Sequence, residues 1–531
     1  MAADPESEPV EKSPSGLTRR KFLIGGAAGA GLVVAWAVWP RSYEPNVAAT
    51  ENEQVFGAFL KISEDGQVIV VVPQSEMGQG VYTVLPQILA DELGADWRTV
   101  AVEPAPINPL YSNSLLAGQW AESLMPSGIG KLANNDALQW ISQNVTLRDQ
   151  FMVTADSTSI PGFAASFREA GAAARVLLTK AAAARWDVAW ETCTVENGVI
   201  SSGDKKLRFG ELVREAAQES LPDPVPLRPA GEGNLTGQDV PRLDLPSKLD
   251  GSANFAGDIR LPDMVFAAIR QGPIGETRLK SFNRAGASKI TGFIDVVEGG
   301  KWIAAVATNW WAANRALDKM SPVFETRGFM ADSDKIDTAL REALEEGPGT
   351  RFVSRGDTRG VFAEDNIHRA RYHAEAALHA PIETRTATAE YKDGGLELWM
   401  ATQAPVAAVQ SAARALNIGQ DRVTLYPMLS GGSFDRNLDN DIAAQVALIA
   451  RKMDRPVQLV WSRAEEIMHD HYRAPSQARL DAAMAKAGRV EALQIKIAAP
   501  PSSREQVKRL FDGMGPVEAM HETLGEADIK A

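Results

Sequence analysis

Residues 220–246 constrain the fold of this chain more than any other segment, because they exclude both kinds of regular structure. The segment holds six prolines and three glycines. A proline donates no backbone hydrogen bond and clashes within a helix, and both residue types weaken a β-ladder. We therefore expect a linker at 220–246, with separate folded regions before and after it.

Strand and helix patterns alternate on both sides of this linker. Apolar runs at 58–63 and 67–73 predict a hairpin, and the spacing over 81–93 predicts a helix. Further on, the pattern predicts a strand at 371–378 and a helix at 405–416. At 531 residues, and with about 150 residues per domain, the chain has room for three or four domains. The fold class is therefore α+β, with α/β as the alternative, and several domains are expected.

Composition excludes some classes of function. Lys plus Arg number 55 and Asp plus Glu number 68, a formal net charge of −13 that disfavours nucleic acid as a partner. Cys193 is the single cysteine. An iron–sulfur cluster needs about four thiolates, so we expect none bound within this chain. Any electrons that pass through the protein must then be carried onward by another subunit.

The first 50 residues read as a targeting segment and spacer. Arg19-Arg20 precede an uncharged, glycine- and alanine-rich run over 22–39, and this order resembles a bacterial twin-arginine export signal. We expect export to the periplasm or to the periplasmic face of the inner membrane. Small residues offer cleavage sites, whereas the length of the run also suits a membrane anchor, so both outcomes stay open.

Three loops place glycines, amides or hydroxyls directly after predicted strands. They lie at 76–80, 401–405 and 430–436. Glycine backbone and amide groups at the start of a helix or in a tight loop bind anions without adding charge. Each loop alone is equally well explained as an ordinary turn.

Together, the three loops resemble those that contact molybdopterin in the molybdenum hydroxylase family, which includes xanthine dehydrogenase and aldehyde oxidase. The matching motifs are Met77-Gly78-Gln79-Gly80, Thr402-Gln403-x-Pro405 and Gly431-Gly432-x-Phe434. Residues 248–264 are similar to the start of the family's small α/β hammerhead domain. The match is most similar to the exported branch typified by the beta subunit of isoquinoline 1-oxidoreductase, which shares this permuted order. It runs from about residue 55 to 500.

The resemblance implies an order of domains. A molybdopterin-binding region, the permuted segment, would occupy 51–219. After the linker, a hammerhead-like α/β domain would occupy 247–330 and a second molybdopterin-binding domain 331–500. Residues 501–531 would form a tail.

The resemblance also implies roles for individual residues. Gln79, Thr158 and Ser159 would hold the pterin or the dinucleotide tail, and Gln403 would hydrogen-bond a molybdenum oxo group. Gly432 and Phe434 would offer their backbone N–H groups to the same centre. The implied cofactor is molybdopterin cytosine dinucleotide, whose dithiolene holds the molybdenum, so no protein side chain is expected as a metal ligand. The complete set of implied cofactor-binding residues is Gln79, Gly80, Thr158, Ser159, Gln403, Gly431, Gly432 and Phe434.

The chain departs from the family pattern in three places, one of which is the segment 120–154, which matches poorly and reads as an insertion. Where the family has Gly-Gly-Gly-Phe-Gly-Arg, this chain carries the polar residues Ser430, Ser433, Asp435 and Asn437. The carboxylate of Asp435 is expected to repel an anionic cofactor. The family's Gly-x-Gly-Glu-x-x-x-Pro motif, whose glutamate is the catalytic base, does not occur in the 531 residues. We therefore assign no catalytic residue and expect the C-terminal part of the family's large subunit to be absent.

The implied function is that of a molybdopterin-binding large subunit. Such a subunit hydroxylates an N-heteroaromatic ring or an aldehyde with oxygen from water. Electrons would leave through a small subunit with two [2Fe–2S] clusters, towards a cytochrome c. Two alternatives stay open: a truncated, non-catalytic relative, and one half of a split subunit completed by another chain. His469 and His471 suggest a metal pair, but without a third ligand at useful spacing we expect a polar patch.

Overall fold

The computed structural model describes residues 43–124, 146–147, 150–229, 231–328, 331–349, 351, 353–358, 360–363, 367–485, 488–500, 502 and 509. The predicted twin-arginine segment and nearly all of the 501–531 tail lie outside the described residues. Within the described part, no helix has the length and apolar character needed to cross a membrane.

Helices and strands are mixed along the described chain, which confirms the α+β class. The strands are β1 Glu53–Val55, β2 Leu60–Ser63, β3 Val68–Val72, β4 Val100–Pro104, β5 Thr194–Glu196, β6 Val199–Ser202, β7 Lys205–Arg208, β8 Val265–Gln271, β9 Glu276–Ser281, β10 Phe293–Glu298, β11 Trp302–Ala307, β12 Val323–Arg327, β13 Ile367–Ala374, β14 Thr386–Lys392, β15 Gly395–Met400, β16 Val423–Pro427, β17 Val457–Val460, β18 Ser476–Met484 and β19 Val490–Ala498. The helices are α1 Val81–Leu93, α2 Ser114–Leu124, α3 Ser159–Trp186, α4 Val213–Ala216, α5 Leu245–Asp250, α6 Arg284–Ala287, α7 Trp310–Met320, α8 Ser333–Glu345, α9 Pro405–Leu416, α10 Asp441–Met453 and α11 Arg463–Met468.

The N-terminal half is built on a four-stranded sheet of order β1-β2-β3-β4. The predicted hairpin is β2 and β3, which pair antiparallel, while β4 returns parallel to β3 after α1. Such a parallel return needs a crossover, and α1 supplies it. Leu85 and Leu89 of α1 pack with Phe167 of α3 in the core of this half.

The linker is not a loose tether. The described residues 220–229 and 231–244 contain no helix or strand, as the prolines predict, whereas α5 begins at Leu245, inside the predicted linker. They nevertheless bind along α1 and α3: Gln87 Nε2 donates to the Leu235 carbonyl at 2.6 Å, and Arg175 Nη2 donates to the Pro226 carbonyl at 2.8 Å. The backbone N–H of Leu235 donates to Asp91 Oδ1 at 2.7 Å. The segment is therefore an ordered strap on the N-terminal half.

The largest sheet joins the two regions that follow the linker. Its order is β10-β11-β8-β17-β14-β15-β16. Strand β8 of the hammerhead-like region pairs in parallel with β17, with Val265 opposite Val457. Helices α9 and α10 cover this sheet over a core that includes Leu398 and Val446. One sheet therefore includes strands from both sides of the domain boundary predicted at 330.

A three-stranded sheet of order β13-β18-β19 carries α8 on one face. The strand predicted at 371–378 is β13, which begins and ends earlier. Antiparallel pairing from Ile367 opposite Ala483 to Ala374 opposite Ser476 fixes its limits. Pairing with a distant strand, rather than local apolar spacing, decides where this strand lies.

Candidate functional site

Three segments that are far apart in the sequence meet where α3, α9 and the 430–437 loop begin. The backbone N–H of Thr154 donates to the Gln403 carbonyl at 2.9 Å. Ser75 joins both, because its N–H donates to Thr154 Oγ1 at 2.9 Å and its hydroxyl to the Thr402 carbonyl at 2.6 Å. The structure therefore brings the predicted loops around 76, 403 and 431 into one region.

Gln403 lies at the centre of this region with a fully buried side chain. Its amide nitrogen donates to the Thr154 carbonyl at 2.8 Å and to Asp435 Oδ1 at 2.9 Å. Its amide oxygen accepts a short hydrogen bond from the hydroxyl of Ser433. Both ends of the amide are thus held, and the orientation of the side chain is fixed.

The four residues that depart from the family pattern form one hydrogen-bonded network with Gln403. Asn437 Nδ2 donates to Ser430 Oγ at 2.9 Å, and the Asn437 backbone N–H donates to Ser433 Oγ at 3.0 Å. Ser433 and Asp435 then bond the two ends of the Gln403 amide. The four polar residues therefore satisfy one another's hydrogen bonds, together with those of Gln403.

The 431–435 backbone is held in an uncommon conformation. Gly432 has φ +94°, and the non-glycine residues Phe434 and Asp435 have φ +55° and +73°. Left-handed backbone costs a non-glycine residue about 1 kcal/mol or more. The backbone N–H groups of the four residues from Gly432 to Asp435 donate to no acceptor among the described residues. Successive free N–H groups of this kind suit an anion or an oxo group.

The side chain of Glu383 holds this loop, a role that the sequence did not predict. Its Oε2 accepts the Gly431 N–H at 3.0 Å and its Oε1 accepts the Gly257 N–H at 3.2 Å. Its own N–H donates to the Gly431 carbonyl at 3.1 Å. Burial raises the pKa of this carboxyl. Glu383 thus ties the loop to the start of the hammerhead-like region.

The other end of the loop is anchored by Arg436, which is 1% exposed. Its Nε lies 3.3 Å from Asp470 Oδ1, and the same oxygen lies 2.7 Å from Nδ1 of His379. Burial acts to raise the pKa of Asp470, but hydrogen bonds from His379 and the charge of Arg436 outweigh it, so the pKa is lowered. The pair fixes the direction in which the chain leaves the loop.

The two histidines flanking Asp470 do not converge. His469 Nε2 lies 3.6 Å from Glu465, whereas His471 Nε2 lies 4.0 Å from Asp439. Burial lowers the pKa of both imidazoles. Across the residues the structure describes, no cluster of three or more candidate metal ligands occurs.

At the 76–80 loop, a carboxylate of the chain itself binds the N–H groups at the start of α1. The buried carboxylate of Glu76 accepts the N–H groups of Gly78, Gly80 and Tyr82 at 2.8, 3.1 and 2.9 Å. Gln79 is exposed and bonds within its loop, to the Ser75 carbonyl at 2.7 Å. The anion site suggested there by the glycines is therefore occupied by Glu76, while Gln79 faces solvent.

Thr158 and Ser159 begin the long helix α3. The Ser159 hydroxyl donates to Gln74 Oε1 at 2.9 Å. Thr158 Oγ1 donates to the Ala155 carbonyl at 2.7 Å and accepts from Asn113 Nδ2 at 2.9 Å. Both hydroxyls thus hydrogen-bond to residues outside α3. The side chain of the N-cap residue, Thr158, does not cap the helix. The backbone of this N-terminus suits a phosphate group.

A cavity of about 350 Å³ adjoins these segments. Gln74, Ser75 and Thr402 contribute to its wall, together with Tyr82. Burial raises the pKa of the Tyr82 hydroxyl above its usual range. The cavity lies between the N-terminal half and the large sheet.

Comparison with known families identifies what these loops belong to. Two family models, both described as molybdopterin cofactor-binding domain, match residues 344–503 and residues 18–108. Over these residues the chain is similar to the molybdopterin-binding proteins of the molybdenum hydroxylase family. Within that family it resembles the molybdopterin-binding large subunits, as its sequence motifs predict.

Two relatives of the family match almost the whole chain. One is a membrane-bound aldehyde dehydrogenase [pyrroloquinoline-quinone] from Gluconacetobacter polyoxogenes, 25% identical over 92% of this chain and 61% of that protein. The other is isoquinoline 1-oxidoreductase subunit beta from Brevundimonas diminuta, 26% identical over 91% of this chain and 64% of that protein. The chain thus spans about three fifths of the length of these relatives.

Among solved structures, the chain is similar to quinoline 2-oxidoreductase from Pseudomonas putida 86. The sequence identity is 20%, with 49% of this chain and 39% of that chain covered and a TM-score of 0.40.

The residues present fit an oxygen-rich anionic cofactor, with one exception. Among the described residues, the N–H groups from Gly432 to Asp435 and the uncapped N-terminus of α3 offer donors without positive side chains. The amide of Gln403 bonds the side chains of Ser433 and Asp435 on the same loop. The exception is Asp435, whose carboxylate takes one amide hydrogen of Gln403.

Proposed function

We propose that this chain is the molybdopterin-binding part of an exported molybdenum hydroxylase that acts on an N-heteroaromatic ring or an aldehyde. The observation that carries the proposal is that the buried Gln403 amide is bonded to a loop whose N–H groups from Gly432 to Asp435 have no acceptor among the described residues. Amide and backbone donors grouped in this way bind oxygen atoms by hydrogen bonding and leave the charge of the site unchanged. The two molybdopterin domain matches support the same cofactor class.

The roles follow from the position of each donor. The Gly432 and Phe434 N–H groups and the Gln403 amide would hold oxygen atoms at the reacting end of the cofactor. The N-terminus of α3, with Thr158 and Ser159, would receive the phosphates of a cytosine dinucleotide. Glu383 and Arg436 would keep the loop in place. When bound, the cofactor supplies the molybdenum centre at which the substrate is hydroxylated with oxygen from water.

The proposal includes partner chains. Cys193 is the sole cysteine, so electrons would leave through a separate subunit with two [2Fe–2S] clusters and then a cytochrome c. In support, one of the relatives described above is itself named as a subunit.

A second candidate function is a relative that binds cofactor or partner subunits without turnover. One observation favours it: the Gln403 amide is hydrogen-bonded to Asp435 instead of being free for a ligand. Binding without turnover would leave the hydrogen-bonded network of the loop intact.

Turnover in labelled water separates the two candidates. The natural protein that contains this chain is purified with its iron–sulfur subunit and offered isoquinoline or an aromatic aldehyde with a dye acceptor. The proposal expects dye reduction and ¹⁸O from water in the product. Molybdenum-loaded preparations that reduce no dye with either substrate would favour the non-catalytic candidate.

A further inference from the structure

Asp435 differs from the other acidic residues of the site because its carboxylate accepts a hydrogen bond from an amide but pairs with no cationic side chain among the described residues. Its Oδ1 accepts the Gln403 amide at 2.9 Å, and it forms no salt bridge with any described residue. The nearest arginine in sequence, Arg436, is directed instead to Asp470 and Asp439. The carboxylate therefore sits at the loop as a lone anion.

The backbone at Phe434 and Asp435, which positions this carboxylate, is in a left-handed conformation that is strained for residues other than glycine. Asp435 has φ +73° and follows Phe434 at φ +55°, whose ring is 70% exposed. Asparagine, aspartate and glycine adopt this region most readily, whereas a phenylalanine does so at a cost. Phe434 thus gains no burial in exchange for its conformation, and the loop as a whole presents Asp435 and the free N–H groups on the same short stretch of chain.

We propose that Asp435 acts as an internal ligand of Gln403 and sets the affinity of the 431–435 loop for external oxyanions. A carboxylate oxygen has the hydrogen-bonding capacity of an oxo or phosphate oxygen, so it occupies the amide donor that such a ligand would use. Its negative charge also opposes an anion at the neighbouring N–H groups. An incoming ligand therefore binds only as Asp435 leaves the amide.

The inference rests on the proposed function for the identity of the natural ligand, but its test does not. Inorganic phosphate and molybdate are titrated by calorimetry into the full chain at constant ionic strength. Asp435→Gly removes the carboxylate and suits the positive φ, and we expect it to bind either anion roughly tenfold tighter than the natural chain. Asp435→Asn keeps an acceptor for Gln403 and removes the charge, so we expect a smaller gain.

The matched control is Asp393→Gly, an exposed aspartate at φ +52° in the turn between β14 and β15. This control relieves similar backbone strain away from the site and should leave anion affinity unchanged. Unchanged affinity in Asp435→Gly, or an equal gain in Asp393→Gly, would overturn the inference.

A second measurement separates this inference from the proposed function. Molybdenum and pterin are measured in the natural chain and in Asp435→Gly, both produced in a molybdenum-replete host. Equal and full loading of both would contradict a role for Asp435 while supporting cofactor binding. Tighter phosphate binding in the variant with no pterin in either protein would support the role of Asp435 and contradict the proposed cofactor.

Discussion

At the scale of single residues, buried polar side chains differ in how fully neighbouring groups satisfy their hydrogen bonds. Gln403 is fully buried, yet its two amide hydrogens and its oxygen all have partners. Glu465, at the start of α11, is 2% exposed, and its carboxylate has fewer close hydrogen-bond and charge partners than the Gln403 amide. It accepts the Gln271 N–H at 3.1 Å and lies 3.9 Å from Arg270 Nε and 3.6 Å from His469. A buried carboxylate with so little support is sensitive to pH.

Burial raises the pKa of Glu465 to about 7, against the opposing charge of Arg270. The folded state therefore binds this proton more tightly than the unfolded state, whose carboxyl titrates near 4.5. The contribution of Glu465 to stability is thus greatest below pH 4.5 and falls as the pH rises towards 7. Glu465→Gln stays neutral, and we expect it to exceed the natural chain in stability by about 2 kcal/mol at high pH.

Denaturation midpoints of both proteins below and above neutral pH check this expectation. The exposed Glu298→Gln serves as the control and should follow the natural chain at both pH values. A Glu465→Gln advantage that does not grow with pH would contradict the raised pKa.

At the residue scale, the sequence located the loops around Gln403 and Gly432 through motifs that lie within them, and the structure brings these loops together. The cofactor-binding roles of their residues stay predictions. The anchoring roles of Glu383 and Arg436 were not predicted, because the partners are distant: Glu383 contacts Gly257 and Gly431, which lie 126 and 48 positions away. No spacing rule connects such residues before the fold is known.

At the scale of elements, the N-terminal half depends on close contact between α1 and α3. Glu92 of α1 is 4% exposed and pairs with Arg168 and Arg175 of α3, each at 2.9 Å. Gly171 of α3 lies against the backbone of α1, where an added Cβ would meet the Leu89 carbonyl oxygen at 2.5 Å. The absence of a side chain at this position is what allows the two helices to pack.

Gly171→Ala is expected to destabilise the chain by about 2 kcal/mol, because backbone atoms of α1 must move to admit the methyl group. This loss exceeds the gain of about 1 kcal/mol in helix propensity. The thermal midpoint measures the effect. Gly118→Ala in α2 is the matched control, since no atom of the described residues lies within 4 Å of its added Cβ. We expect that control to be neutral or stabilising, and equal midpoints for both variants would refute the packing account.

Helix limits were predictable where the chain itself marks the ends. The helices expected at 81–93 and 405–416 are α1 and α9, which glycines and a first-turn proline delimit. Strand limits such as those of β13 were displaced, because strands end where pairing ends. The linker was predicted to lack regular structure, but its attachment to α1 depends on Asp91 and Gln87, whose side chains gave no local signal.

At the scale of the whole molecule, the site is assembled from both halves of the chain. Ser75 and Thr154 come from the N-terminal half, whereas Thr402 and Gln403 follow the large sheet. A site of this kind forms only after both halves have folded together. Export in the folded state, which the Arg19-Arg20 segment predicts, would allow such a site to be completed before transport.

Export by the twin-arginine route is tested by replacing both arginines. Arg19→Lys together with Arg20→Lys keeps the charge and removes the paired guanidinium groups, and we expect the protein to accumulate in the cytoplasm. Fractionation of cells with an antibody against the chain measures this. Arg41→Lys, beyond the apolar run, is the control and should not change the distribution. Full periplasmic recovery of the double variant would exclude this route.

The central claim is that the loops around Gln403 and Gly432 hold a molybdopterin cofactor. The most direct measurement is the molybdenum, pterin and cytidine nucleotide content of the full chain purified from a molybdenum-replete host, beside Gly432→Val. Valine at φ +94° strains the loop and places a branched side chain beside the free N–H groups. We predict stoichiometric molybdenum and pterin with cytidine nucleotide in the natural chain, and little of any in the variant. A natural chain that contains neither molybdenum nor pterin, or that contains pyrroloquinoline quinone instead, would contradict the account.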